Sequence, residues 1–183
     1  MDKTVIGLVG LIASGKSDIG KYVSKKYNAD YIRFSDILRD ILDRISVEYT
    51  RQSLVKLSQI LRENFGESIF SKAVAGDIKK SKRTIFVVDG IRREGDVEFL
   101  KNSSKFYLVW VEADPKIRYQ RIISRDDNTD DQHKTFEEFL KDHNLETEQT
   151  IIPLKEKADF NIDNNGSLED LYKQIDEIVK KTS

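Results

Sequence analysis

The sequence predicts an α/β protein in which one five-stranded parallel sheet lies between two layers of helices. Three observations lead to this prediction. Segments with the apolar pattern of a strand alternate with segments of helical periodicity along the chain. The strand segments include near-continuous apolar runs, as expected of strands covered on both faces. A glycine-rich loop, Gly10–Ser17, joins the first strand to the first helix. We therefore expect three α/β/α layers with ligands at the carboxyl ends of the strands.

The first half of the chain alternates strands with helices and then inserts a helical segment. Between residues 36 and 80, apolar side chains recur at helical spacing in three stretches, and Gly66 is placed to end the second of them. The elements predicted for this half are a strand at Thr4–Val9, a helix from Gly15 to Tyr27, a strand at Asp30–Phe34 and three helices within residues 36–80.

The second half continues the alternation. Leu145–Lys157 receives no assignment because Pro153 argues against one unbroken helix. The predicted elements are a strand at Thr84–Val88, a short helix near Gly95–Asn102, a strand at Phe106–Val111, a helix opened by Asp114-Pro115, a helix with a capping box at Thr135–Glu138, a strand at Phe160–Asp163 and a closing helix from Ser167.

The composition fits one globular domain over residues 1–183. Of its 183 residues, 38% are hydrophobic and 34% are charged, and the net charge is −1. Because there is no global basic field, we expect neither nucleic acid nor a membrane as partner, and no apolar run is long enough to cross a bilayer. The chain has no cysteine, which excludes disulfides and agrees with a cytoplasmic location. The N-terminal residues lead directly into the first strand, so we expect no signal peptide.

The loop Gly10–Ser17 matches the phosphate-loop, or Walker A, pattern G-x-x-x-x-G-K-[ST] without a mismatch. A strand before it and a helix after it allow backbone N–H groups and the helix N-terminus to surround a phosphate. Glycines permit the close backbone approach, and Lys16 can place its ammonium between the β- and γ-phosphates. The alternative, a glycine turn with an unrelated lysine, does not account for both flanks. The residues predicted to bind ATP are Gly10, Ala13, Ser14, Gly15, Lys16, Ser17 and Asp18.

Asp89 follows a buried strand that the expected topology places beside the phosphate loop. An acidic residue there can hold Mg²⁺ directly or through water, and the hydroxyl of Ser17 can supply another oxygen. We therefore predict a magnesium site at Ser17 and Asp89. An Asp before Gly90 is also an ordinary turn signal, and that interpretation stays open.

Arginines follow three of the predicted strands. Arg39 comes one helical turn after Asp36, and Arg92 and Arg93 come directly after Asp89-Gly90. Guanidinium groups bind phosphates bidentately and can neutralise charge as a phosphoryl group moves between two anions. The combination predicts a site for several phosphates, although for any single arginine a solvated surface position is the ordinary alternative. A third group, spaced i, i+3, i+7, consists of Arg118, Arg121 and Arg125.

Four segments together resemble the motifs of the nucleoside monophosphate kinase family: Gly10–Ser17, Ser35–Arg39, Asp89–Arg93 and Arg121–Arg125. The resemblance implies a P-loop NTPase fold with a helical acceptor-binding segment at residues 36–80 and a short lid at residues 126–145. The acceptor-binding residues it implies are Asp36, Arg39 and one or both of Arg92 and Arg93. The catalytic residues we assign from it are Lys16, Asp36, Arg39, Arg121 and Arg125.

A narrower resemblance is to the (deoxy)nucleoside monophosphate kinase and dephospho-coenzyme A kinase-like branch. It is carried by Val97–Leu100, Thr135–Leu140 and Asn164–Glu169. A monophosphate oxygen is anionic at neutral pH, whereas a hydroxyl acceptor needs a base, for which Asp36 is the candidate. We expect an ATP- and Mg²⁺-dependent nucleoside monophosphate kinase acting on small-molecule nucleotides as a monomer or homodimer. A dephospho-coenzyme A kinase-like enzyme and a non-kinase NTP-binding switch or sensor are the alternatives.

Overall fold

The structure, a computed structural model, describes residues 3–124, 135–142 and 149–182. The described residues form one five-stranded sheet in which every neighbouring pair of strands is parallel. The strand order is β2-β3-β1-β4-β5. The strands are β1 Thr4–Val9, β2 Asp30–Arg33, β3 Ile85–Asp89, β4 Lys105–Glu112 and β5 Phe160–Asp163. The predicted five-stranded parallel α/β architecture is confirmed.

Helices cover both faces of the sheet. Three of them, α2 to α4, lie between β2 and β3, as the periodicity of residues 36–80 predicts. The helices are α1 Lys16–Tyr27, α2 Phe34–Arg44, α3 Arg51–Phe65, α4 Ile69–Lys80, α5 Glu98–Ser103, α6 Pro115–Ile123, α7 Phe136–Asp142 and α8 Leu168–Thr182, with 3₁₀ turns at Glu94–Asp96 and Ile152–Leu154.

Two apolar cores lie on opposite faces of the sheet. On one face, alternate residues of β1, β3 and β4 pack with buried side chains of α2, α4 and α5. On the other face, the intervening strand residues pack with α1 and α8. Burying one Leu, Ile or Phe side chain contributes about 1.5–3 kcal/mol, so these two layers hold the strand ends in fixed relative positions.

Local sequence signals account for several helix ends. Gly66 follows α3 with a φ of +94°, and its N–H donates to Arg62 O at 2.8 Å. Thr135 and Glu138 form the predicted reciprocal capping box at the start of α7. At the start of α8, the N–H of Asp170 donates to Ser167 Oγ at 3.2 Å.

The predicted end of β2 was wrong by one residue. Phe34 belongs to the first turn of α2 rather than to the strand. Its ring is buried and lies 5.9 Å from the ring of Phe70 on α4, and Gly90 lies directly against it. This packing of the helical segment against the chain after β3 overrides the strand-like pattern of the local sequence. No helix in the described ranges is both long and apolar enough to span a bilayer.

Candidate functional site

The loop between β1 and α1 has the backbone geometry of a phosphate cradle. Three of its residues have positive φ angles: Gly10 at +154°, Ala13 at +59° and Gly15 at +103°. A Cβ on Gly10 would lie 2.3 Å from the carbonyl oxygen of Val111 on β4. The loop therefore folds tightly against the end of the neighbouring strand, and the N-terminus of α1 opens into it.

Lys16 reaches back over the loop. Its ammonium donates to the carbonyl oxygens of Gly10 at 2.7 Å and Leu11 at 3.0 Å. Ser14 is 1% exposed beneath it, whereas Ser17 and Asp18 lie exposed on the first turn of α1. An entering phosphate would compete with the loop carbonyls for the Lys16 ammonium, and charge-assisted hydrogen bonds to phosphate are the stronger ones.

Asn164, to which the sequence analysis assigns no role in the site, supports the loop from the end of β5. This side chain is 2% exposed, and its Nδ2 donates to Ser14 O at 2.7 Å. A Cβ on Gly15 would lie 2.0 Å from the same nitrogen. Gly15 is therefore required by this contact as well as by its positive φ. The only signal in the sequence is the position of Asn164 directly after a predicted strand.

The Tyr31 hydroxyl contacts one of the two predicted magnesium ligands. Asp89 is 8% exposed at the end of β3, and the Tyr31 hydroxyl donates to its Oδ2 at 3.1 Å. Burial and then the charge of Asp89 raise the pKa of Tyr31. Since hydroxyl and carboxylate oxygens suit Mg²⁺, Ser17 and Asp89 fit this ion as a pair.

The first turn of α2 carries the predicted acceptor residues. Asp36 Oδ2 accepts a hydrogen bond from Arg33 Nε at 3.0 Å. Asp36 Oδ1 accepts one from Arg39 Nη1 at 3.1 Å and lies 2.7 Å from Arg33 Nη2. Arg39 also donates to Ser35 Oγ at 2.8 Å. Asp36 is therefore a carboxylate between two half-exposed guanidinium groups, and it is not the residue that caps α2. Sequence analysis missed Arg33, although its place at the end of β2 is a signal.

Arg92 and Arg93 differ in their surroundings. Arg93 Nη1 lies 3.0 Å from a carboxylate oxygen of Glu67, at the turn before α4. The Arg92 side chain is exposed. The backbone N–H groups of both residues donate to Asp96 Oδ2, at 2.8 and 3.1 Å. The turn after β3 is therefore fixed by one carboxylate, and the Arg93 guanidinium pairs with Glu67.

A buried ion pair connects this turn to the helical segment. Arg62 on α3 donates to Asp96 Oδ1 at 2.8 Å, with 7% and 0% of the two side chains exposed. Burial raises the pKa of Asp96 in spite of Arg62. Sequence analysis missed the pair because its members stand 34 residues apart. The pair fixes α3 to the turn after β3 that carries Arg92 and Arg93.

Two arginines of α6 donate hydrogen bonds to backbone carbonyls of the phosphate loop. Arg118 is 3% exposed and donates to Ala113 O and Ile12 O at 3.0 and 3.3 Å. Arg121 Nη1 reaches Ala13 O at 3.5 Å, and Nη2 reaches Asn164 O at 2.9 Å. These two residues therefore join α6 to the loop. The predicted catalytic Arg125, and all of the predicted lid except residues 135–142, lie outside the described residues.

The fold and the site define a P-loop NTPase fold: a phosphate loop follows the central strand of a parallel sheet ordered β2-β3-β1-β4-β5. A family model described as AAA_18, AAA domain, matches residues 6–151, and the chain belongs to this family.

Known proteins are similar over almost the whole chain. A UPF0200/UPF0201 protein of Archaeoglobus fulgidus is 29% identical over 185 residues, which cover 99% of this chain but 56% of that protein. A UPF0200 protein of Saccharolobus solfataricus is 29% identical, with 97% of this chain and 93% of that protein covered.

Two solved structures are similar in fold. A shikimate kinase from Bacteroides thetaiotaomicron has a TM-score of 0.63 at 15% identity, with 97% of each chain covered. A gluconokinase from Sinorhizobium meliloti has a TM-score of 0.61 at 13% identity, covering 98% of this chain and 93% of that one. The fold is thus shared with kinases of different acceptors.

Proposed function

We propose that this protein transfers the γ-phosphoryl group of ATP to a nucleotide or nucleotide-like acceptor, and that a (deoxy)nucleoside monophosphate is that acceptor. The observation that carries the proposal is a second guanidinium cluster beside the phosphate loop. β3 pairs with both β1 and β2, and Asp89 is in register with Leu8 on one side and Arg33 on the other. The loop after β1 and the cluster of Arg33, Asp36 and Arg39 at the end of β2 thus lie at the same edge of the sheet, on either side of β3.

In the proposed reaction, Lys16 and the loop N–H groups bind the β- and γ-phosphates, and Arg39 binds the acceptor phosphate. An anionic acceptor oxygen attacks the γ-phosphorus in line, the bond to the β-phosphate oxygen breaks, and ADP leaves. Positioning and charge neutralisation supply most of the rate in such transfers. Mg²⁺, held by Ser17 and Asp89, would neutralise phosphate charge. The acceptor needs no base, because its oxygen is already ionised.

The surroundings of Asp36 support a monophosphate over a hydroxyl acceptor. Both of its oxygens already accept hydrogen bonds from guanidinium groups, which suits a residue that orients Arg33 and Arg39. A base for a hydroxyl would instead need a lone pair directed at the substrate proton. In the proposal, Asp36 therefore aligns the acceptor arginines and takes no proton.

A coupled ADP-release assay across the common ribo- and deoxyribonucleoside monophosphates and dephospho-coenzyme A tests the acceptor class. We expect ATP turnover to depend on one or a few monophosphates. Turnover with dephospho-coenzyme A alone would support the hydroxyl kinase, and ATP hydrolysis independent of every acceptor would support a switch or sensor.

Asp36→Asn distinguishes the two kinase chemistries. With a monophosphate acceptor we expect a decrease in kcat/KM of about tenfold, since the arginines lose their partner but the nucleophile is unchanged. A hydroxyl kinase would lose nearly all turnover. Asp40→Asn, one helical turn further along α2, is the matched control and should retain wild-type rates. Near-complete loss in Asp36→Asn with a monophosphate acceptor would contradict the proposed role.

A further inference from the structure

We propose that Tyr31 is a positioning residue for the magnesium ion of the bound nucleotide, because it holds the carboxylate of Asp89, one of the two predicted ligands, in the orientation that binds the ion. Tyr31 lies on β2, outside the phosphate loop and the acidic strand end. The inference deepens the proposed function and rests on it, since it assumes that a magnesium nucleotide binds at the loop.

The carboxylate of Asp89 is fixed at both oxygens. Oδ1 accepts from the N–H of Gly90 at 2.6 Å, and Oδ2 accepts from the hydroxyl of Tyr31 at 3.1 Å. The side chain is almost fully buried, so these contacts set the plane in which its remaining lone pairs point. Partners of this kind orient metal ligands and reduce the entropy lost when the ion binds.

The backbone of α1 is adapted to the tyrosine ring. A Cβ on Gly20 would lie 2.3–2.6 Å from three ring carbons of Tyr31. Glycine inside a helix costs roughly 1 kcal/mol relative to alanine, so its presence here needs a reason. The absence of a side chain at Gly20 lets the ring lie against the helix, in the position from which its hydroxyl donates to Asp89.

The test measures the affinity of a non-hydrolysable ATP analogue by calorimetry, with Mg²⁺ and with EDTA. Tyr31→Phe keeps the ring and removes the hydroxyl. We expect the gain in affinity from Mg²⁺ to fall about tenfold, while the affinity in EDTA stays within roughly twofold of wild type. Tyr27→Phe is the matched control: its hydroxyl donates to a different carboxylate, Asp176, at 2.7 Å. That variant should retain the wild-type gain.

Gly20→Ala provides a second variant that removes no polar group. Displacement of the Tyr31 ring should reduce the gain from Mg²⁺ in the same direction, and circular dichroism checks that the variant is folded. Unchanged magnesium dependence in Tyr31→Phe would overturn the inference. Tighter magnesium binding would overturn it too, since the hydroxyl would then compete with the ion, and so would equal losses with Mg²⁺ and EDTA. If the wild-type protein binds no nucleotide, the proposed function itself fails.

Discussion

Gly15→Ala tests whether the phosphate loop depends on the contact with Asn164. The new Cβ would lie 2.0 Å from Asn164 Nδ2, and Gly15 has a φ of +103°. An L-residue in the left-handed region costs about 1–2 kcal/mol. Moving the Asn164 amide away breaks its 2.7 Å hydrogen bond to Ser14 O and leaves a buried polar group unsatisfied, which costs roughly 1–3 kcal/mol. We expect Gly15→Ala to lower the free energy of unfolding by about 2–5 kcal/mol and to weaken nucleotide binding.

Gly76→Ala is the control, because it should change the free energy of unfolding in the opposite direction. Gly76 lies inside α4, where a Cβ would meet nothing within 4 Å. Removing a glycine from a helix interior stabilises by roughly 0.5–1 kcal/mol, so Gly76→Ala should raise the unfolding free energy. Urea denaturation of both variants at pH 7 gives the two values.

A double-mutant cycle with Asn164→Ala isolates the clash. Without the Asn164 amide, Gly15→Ala should lower the free energy of unfolding only by the cost of placing an L-residue at positive φ, about 1–2 kcal/mol. The coupling between the two sites should therefore be on the order of 1–3 kcal/mol. Additive effects of the two substitutions would show that the contact does not hold the loop and would refute this reasoning.

Two further predictions concern buried and half-buried charge. Arg62→Met removes the charged partner of Asp96, so we expect the free energy of unfolding to fall by about 3–5 kcal/mol at pH 7. Because burial raises the pKa of Asp96, protonation relieves the loss, and urea denaturation should show a smaller deficit at pH 5; an equal deficit at both pH values would contradict this. For Asp176, burial acts to raise the pKa, but hydrogen bonds from Lys26, Tyr27 and Tyr22 outweigh it and lower the pKa. Its stabilising contribution is therefore present above pH ~4 and lost as pH falls through the lowered value. The stability difference between wild type and Asp176→Asn should shrink in acid, and a constant difference down to pH 2 would be contrary to this sign.

Most of the fold could be predicted because its signals are local. Continuous apolar strands predict a parallel sheet, and each predicted strand appears in the structure within two residues of its expected ends. The end of β2 differs because Phe34 packs against Gly90 and Phe70, contacts that no local pattern contains. The order of the strands depends on tertiary pairing, so the sequence predicts only that β3 lies beside the strand of the phosphate loop, as the structure shows.

In the candidate site, too, the local features could be predicted from the sequence and the long-range contacts could not. The phosphate loop and Asp89 follow from spacing, since a loop cradle and a strand end are short-range features. Tyr31, Asn164 and the Arg62–Asp96 pair act through contacts between residues 34 to 150 positions apart. The sequence indicates only that Tyr31 is an aromatic residue of the core, and the structure is needed to show that its hydroxyl contacts Asp89. The sequence therefore yields the residues proposed to bind phosphate and Mg²⁺ and omits those that hold them in place.

The contact between Asn164 and the phosphate loop has a consequence for how this protein could be shortened. The family match ends at residue 151, before β5 and α8 begin. A fragment cut there would contain the entire Gly10–Ser17 motif but would lose the amide that donates to Ser14 and one of the two helices that cover this face of the sheet. In the proposed function, the last fifth of the polypeptide is thus needed to hold the loop that binds the triphosphate, and we expect such a fragment to carry the full motif without nucleotide affinity.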